Sequence, residues 1–196
     1  MLSFAAAVLF LIVTPGPGVL STAGVGSGFG FRAGLAYVGG LFLGTNLVAL
    51  AVVSGLAAAL LAVPLLHGAL FYASVAYLLY LAARIALAGS RIAFIETRRA
   101  PGFAAGLALQ AINPKAYAVN TALFSGFAFW PGSPVTETAL KFLILNAIWV
   151  PVHLAWLAAG VTLRRFDLAP RAQSAINIAM ALSMLAVVAL AALTPH

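Results

Sequence analysis

The sequence predicts an all-α, polytopic membrane protein with six transmembrane helices, built as two inverted three-helix repeats whose first and fourth helices are broken. Three observations point there. The 196 residues are 64% hydrophobic and 7% charged, whereas soluble domains are about 45–50% apolar and about 25% charged. The apolar residues form long continuous runs, which suit helices of roughly 20 residues rather than the alternating strands of a β-barrel. A proline break also recurs in two of these runs. Together with a mean hydropathy of +1.13, these features exclude a soluble globular enzyme and a disordered chain.

Segment one covers residues 2–20. It lacks the basic start of a secretory signal and is expected to stay as a helix rather than be cleaved. Thr14-Pro15-Gly16-Pro17-Gly18 interrupts it. Two prolines remove two backbone donors, and the glycines tolerate an unusual backbone. In lipid, the carbonyls freed this way need a partner or a wet cavity. A discontinuous helix with open backbone at a substrate site is the functional reading; a plain proline kink is the alternative.

Segment two, residues 35–61, is entered through Gly26, Gly28 and Gly30, a pliable stretch suited to a moving cytoplasmic gate. It carries the polar residue Asn46. Segment three, residues 70–87, is rich in aromatic residues, with Tyr72, Tyr77 and Tyr80 suited to packing or to the membrane interface. The connection after it, residues 90–99, is basic.

Segment four, residues 103–129, is broken at Asn113-Pro114. Lys115 follows directly, and a lysine in mid-span is costly unless it is paired or functional. The three acids Glu96, Glu137 and Asp167 read as loop or span-end residues and offer it no partner. Lys115 is therefore a candidate for the carboxylate of a ligand, helped by the open backbone donors of a helix restarting at Pro114. Snorkelling to an interface is the alternative. Gln110 lies one turn earlier and is placed to share a cavity with Asn113. For Asn120 an interhelical hydrogen bond is the simpler role.

Segment five, residues 140–163, holds Asn146 and, after Pro151, His153. Asn46 and Asn146 could bind substrate or join two helices. His153 could carry a proton near neutral pH, although a structural hydrogen bond is the commoner fate of a lone histidine. Segment six covers residues 172–193. Pro64, Pro101-Gly102, Pro131-Gly132 with Pro134, and Pro170 all punctuate the stretches between segments.

The repeat follows from matched positions. Val13-Thr14-Pro15-Gly16-Pro17 aligns with Ile112-Asn113-Pro114-Lys115-Ala116 at an offset of 99, and Asn46 aligns with Asn146 at 100. Each half contains an odd number of spans, so the second must be inverted, as in many secondary transporters with midplane sites at paired helix breaks. The division expected is residues 1–89, the connection 90–99, and residues 100–196. Gly26, Gly30 and Gly34, then Gly40 and Gly44, then Gly102 and Gly106, supply small residues for close helix contact. The same surfaces allow a homodimer.

The net charge is +7. Arg32, Arg84, Arg91, Arg98, Arg99, Arg164, Arg165 and Arg171 fall on one side of the expected topology, with Lys141 alone in the opposite loops. The positive-inside rule then places the basic loops in the cytoplasm and both termini outside. These arginines also suit lipid headgroups, and nucleic-acid binding is not expected. Cysteine is absent, and three scattered histidines and three acids form no metal-ligand spacing. No cofactor is expected. No serine–histidine–acid grouping suggests an intramembrane enzyme.

The ordered set Thr14-Pro15-Gly16-Pro17, the glycines Gly30, Gly34, Gly40 and Gly44, Tyr77-Leu78-Leu79-Tyr80-Leu81, and Phe103-x-x-Gly106 followed by Asn113-Pro114-Lys115 resembles the lysine-exporter family of the LysE/RhtB type. That family includes homoserine and threonine efflux proteins, and the resemblance covers essentially the whole chain. It implies a six-helix inner-membrane amino-acid exporter driven by the proton motive force. Many members carry an acidic residue in segment two, near where this chain has Thr45-Asn46.

Without that acid, a carboxylate proton relay is not expected. Coupling falls to His153, Lys115, the ligand itself or an acid at the membrane edge. An interior with Lys115 and neutral amides also favours a neutral amino acid over a basic one, because an unpaired side-chain cation is expensive to desolvate. The substrate-binding candidates are Thr14, Pro15, Gly16, Pro17, Asn46, Gln110, Asn113, Pro114, Lys115 and Asn146, with Lys115 and His153 as candidates for proton coupling. A passive small-solute channel and a structural subunit of a membrane complex are the alternatives to a carrier.

Overall fold

The computed structural model describes residues 1–63 and 100–165, with single positions within 65–83 and 169–185. Segments three and six and the basic connection 90–99 fall in the main outside the described residues. The elements with assigned bounds are all helices.

Helix α1 (Leu2–Val13) ends where Pro15 and Pro17 can offer no N–H to the carbonyls of Leu11 and Val13. Gly16 is extended (φ −170°, ψ 178°), and α2 (Pro17–Phe29) restarts with proline at its first position, where the missing N–H costs nothing. The two axes differ by 52°. This span continues to Phe29 rather than stopping at 20. Its small polar residues bond to the helix itself, with the Ser21 hydroxyl donating to Pro17 O and the Thr22 hydroxyl to Gly18 O.

Gly30 sits at φ 84°, in the left-handed region that glycine tolerates best, and turns the chain directly into α3 (Phe31–Val53). The expected segment two is thus α3 plus a short α4 (Leu56–Leu61), divided at Ser54-Gly55. Segment four is broken where expected, into α5 (Phe103–Ile112) and α6 (Pro114–Gly126). Helix α7 (Pro134–Arg165) begins at Pro134 rather than 140 and continues through Pro151.

Lys141, expected in a loop, is buried within α7. It pairs with Glu137 at 2.8 Å and donates to Phe124 O at 3.0 Å. Glu137 in turn accepts from the backbone N–H groups of Phe129 and Trp130 at 2.9 and 2.6 Å. The pair therefore satisfies the polar groups where α6 hands over to α7, which lets the helix start early.

Among the described residues, α3 and α7 are each long and apolar enough to cross a membrane, and α1 with α2 makes a third span if the bent pair counts as one. Outward-facing Leu9, Phe10, Leu43, Leu47 and Leu143 are exposed, as lipid-facing residues are. The buried core gathers Phe4, Val8 and Ile12 of α1 with Leu41, Leu145, Trp149 and Leu157.

Two seams hold the helices at very short range. A Cβ added to Gly26 would lie 2.5 Å from Leu157 O, and one added to Gly160 would overlap the Ala23 carbonyl, so α2 and α7 meet backbone to backbone. Cβ atoms on Gly40 and Gly106 would overlap Phe103 O and Tyr37 O, which joins α3 to α5 in the same way. The packing role expected for Gly26, Gly34, Gly40, Gly44 and Gly106 is met. Gly30 and Gly102 have open space around them.

Candidate functional site

The two helix breaks come together. Thr14 and Pro15, with Gly16, form the first; Asn113 alone forms the second. Ends Val13 and Ile112 keep the offset of 99, but the restarts at Pro17 and Pro114 are 97 apart, so the first break is two residues longer. Both restarts use proline at the first helical position. At the second, the Asn113 side chain caps the new helix, its Oδ1 accepting from Lys115 N at 3.1 Å.

Lys115 reaches back across the gap. Its Nζ donates to the Thr14 carbonyl at 2.6 Å. The backbone acceptor opened by one break is thus taken by the cation at the other. A Cβ on Gly16 would come within 2.8 Å of Lys115 Cδ and 3.0 Å of Nζ, so the glycine makes room for that side chain.

A polar ladder continues from there into α3. Asn113 Nδ2 donates to Gln110 Oε1 at 2.8 Å, and Gln110 Nε2 donates to the Thr45 hydroxyl. Gln110, Asn113 and Thr45 are all buried. Satisfied polar networks of this kind fix geometry, because a partly broken one is expensive in a dry interior.

Beside the ladder lies a cavity of about 60 Å³, room for roughly four water molecules. Lys115, Gln110, Asn113, Thr45 and Asn120 line its polar side, with Gly16 and Gly18 from the first break. Leu11, Ile12, Val19, Val119 and Leu145 make it apolar elsewhere, and Trp149 and His153 of α7 complete the wall. His153 is buried and stacks on Trp149 with ring centroids 3.5 Å apart and planes 13° apart. Its Nδ1 lies 3.0 Å from Trp149 O. A carbonyl can only accept, so Nδ1 carries the hydrogen and Nε2 keeps a lone pair in the neutral ring. A Cβ on Gly18 would stand 3.6 Å from that Nε2.

Of the sequence candidates, Gly16, Gln110, Asn113, Lys115 and His153 line the cavity. Thr14 joins it through the bond to Lys115. Pro15, Pro17 and Pro114 shape the breaks without lining the space. Asn46 and Asn146 stand apart as a reciprocal pair. Asn46 Nδ2 donates to Asn146 Oδ1 at 3.0 Å, and Asn146 Nδ2 donates back to Asn46 Oδ1 at 2.9 Å. They tie α3 to α7.

Among the lining residues outside the sequence candidates are Thr45, Asn120 and Trp149. Thr45 carries an ordinary helix-compatible hydroxyl; the signal for it was its place beside Asn46, where the resemblance puts an acidic residue in many members. Trp149 reads as a packing aromatic, although its spacing of four residues from His153 is a helical-neighbour signal.

A family model described as LysE type translocator matches residues 9–194. No curated protein and no solved structure matches the chain.

Proposed function

The chain belongs to the LysE type translocator family, and on that footing we propose that it is a secondary transporter that exports neutral amino acids across the inner membrane, driven by the proton motive force. The observation that carries this reading is the Lys115–Thr14 bond, which joins two helix breaks beside a partly polar cavity. Broken helices facing each other are the usual site architecture of secondary carriers. Lys115 would exchange the Thr14 carbonyl for a substrate carboxylate. The backbone around Thr14, Pro15, Gly16 and Pro17 would receive the polar remainder of the ligand.

The remaining parts of the reading are proposals of the same kind. Six spans would be arranged as halves 1–89 and 100–196 in opposite orientation; because the glycine seams join α2 to α7 and α3 to α5 across the halves, access would alternate by bending at the two breaks. The basic loops would face the cytoplasm, and both termini would lie outside. His153, with a free Nε2 in the cavity wall, would be the group through which a proton gradient acts.

The test is flux of a mixed amino-acid pool in proteoliposomes, with and without an imposed pH gradient. Saturable, gradient-stimulated movement of neutral amino acids is expected, with counterflow of labelled substrate. Flux without counterflow would mean a channel. No flux by the purified chain, with constant co-purification of another protein, would mean a structural subunit. Saturable export of lysine or arginine with no comparable neutral substrate would overturn the stated preference.

A further inference from the structure

One buried polar side-chain atom beside the cavity has no hydrogen-bond partner. Asn120 on α6 is 3% exposed and lines the cavity. Its Nδ2 donates to Ala116 O at 2.8 Å. The Ala116 carbonyl can only accept, so the amide is held with its nitrogen there and its oxygen at the other end. That Oδ1 is buried and has no hydrogen-bond partner. Among the described residues it is the buried side-chain polar atom left without one. Its neighbours in the wall differ: Gln110 bonds to Thr45, Asn113 to Gln110 and to Lys115 N, and His153 to Trp149 O.

Buried amide oxygens are normally paired, and an exception needs a reason. A cavity wall gives one, because the missing donor can arrive with a ligand. The donor would be a cation or a neutral N–H or O–H group. Lys115 lines the same cavity and suits an anion, so a ligand serving both must carry a negative and a donor end. A zwitterion does so while remaining neutral overall, and a neutral carbonyl is enough for an ammonium whose own carboxylate travels with it.

We propose that Asn120 Oδ1 accepts from the substrate's α-ammonium, and so selects α-amino acids over carboxylic acids of similar shape that lack the α-amine. The assignment rests on the export reading above and adds to it the atom that recognises the amine. A site built around a hydrogen bond rejects an analogue that cannot make it, since the buried partner is then left unmet.

The experiment uses the full chain in proteoliposomes. Labelled L-alanine, L-serine and L-threonine are each measured against the matching carboxylic acid with hydrogen in place of the α-amine as competitor. Wild type is expected to favour the amino acid at least tenfold. Asn120→Leu, of similar volume without an acceptor, should bring that ratio close to one by losing the amino acid. Asn120→Asp keeps the acceptor, adds charge and should retain the preference. It should also improve competition by L-alanine methyl ester, a cation with no carboxylate, at least fivefold.

An Asn120→Leu protein that keeps the wild-type ratio overturns the assignment. Should that variant not assemble, Asn120→Asp with no gain for the ester overturns it equally. Wild-type protein that moves none of the amino acids ends the export reading, and this assignment with it. Wild-type transport with no effect of either Asn120 variant ends this assignment alone.

Discussion

Lys115 Nζ lies 2.6 Å from the Thr14 carbonyl oxygen, so the cation of one broken helix is bound by the backbone opened in the other. The pairing answers two costs at once. A mid-span ammonium needs an acceptor, and a carbonyl without its helical N–H needs a donor. A carboxylate is a better partner for an ammonium than a neutral carbonyl is, so a ligand carrying one would be able to displace it.

Replacing Lys115 with alanine is expected to abolish transport while leaving protein in the membrane. Flux in reconstituted vesicles, normalised to the amount of solubilised monodisperse protein, measures both halves of that statement. Undiminished flux would remove Lys115 from the site.

Gly16→Ala should impair transport with little loss of stability. The backbone there is extended and accepts alanine, and the new methyl meets only the flexible end of Lys115, at 2.8 Å from Cδ and 3.0 Å from Nζ. The lysine is displaced rather than the helices. We expect a several-fold fall in flux and a thermal midpoint in detergent close to wild type. A large fall in midpoint would show that the helices themselves had moved.

The glycine seams should behave in the opposite way. Gly40→Ala, Gly106→Ala and Gly160→Ala each drive a methyl into backbone that cannot rotate aside, and overpacking of this kind costs about 1–3 kcal/mol. Gly102→Ala and Gly126→Ala meet open space and should fall within about 0.5 kcal/mol of wild type. Unfolding of the purified variants in detergent separates the two groups.

The Asn46–Asn146 pair predicts coupling. Asn46→Ala and Asn146→Ala should each destabilise, and the double variant should lose less than their sum, by about 0.6–1.7 kcal/mol. Strict additivity in the thermodynamic cycle would mean that the two amides do not hold each other in the membrane.

His153→Gln tests proton coupling. Counterflow of labelled substrate should survive, whereas stimulation by an imposed pH gradient should disappear. A variant that keeps full stimulation would move the coupling elsewhere.

The breaks were legible because proline chemistry is local: a residue without an N–H ends a helix whatever surrounds it. The same locality made Pro114 recognisable as a helix restart, whereas Pro17 and Gly18 read as part of the interruption and are the first residues of α2. The span ends were less legible. Residues 21–30 look like a small polar loop by hydropathy, yet Ser21 and Thr22 turn their hydroxyls onto their own helix and Gly26 presses against α7. The start of α7 was hidden because Glu137 and Lys141 cancel each other in space, which composition does not reveal.

The site shows the same division. Lys115 stood out as a charge in an apolar run, but its partner is a main-chain oxygen, and no sequence letter records that. Asn46 and Asn146 were visible as matched amides, and only the packing of α3 on α7 shows them bonded to each other. Asn120 was ambiguous for a related reason. An asparagine's carbonyl is either met or unmet, and tertiary placement decides which.

The glycine seams constrain how such a protein could change shape. Helices that touch through side chains can slide, because rotamers give way and re-form. Where main chain lies directly on main chain, as at Gly160 on Ala23 and Gly40 on Phe103, there is no such slack. Those helix pairs would travel as welded beams, with the bending taken up at the few residues of Thr14 to Gly16 and at Asn113, which would make the two interruptions joints.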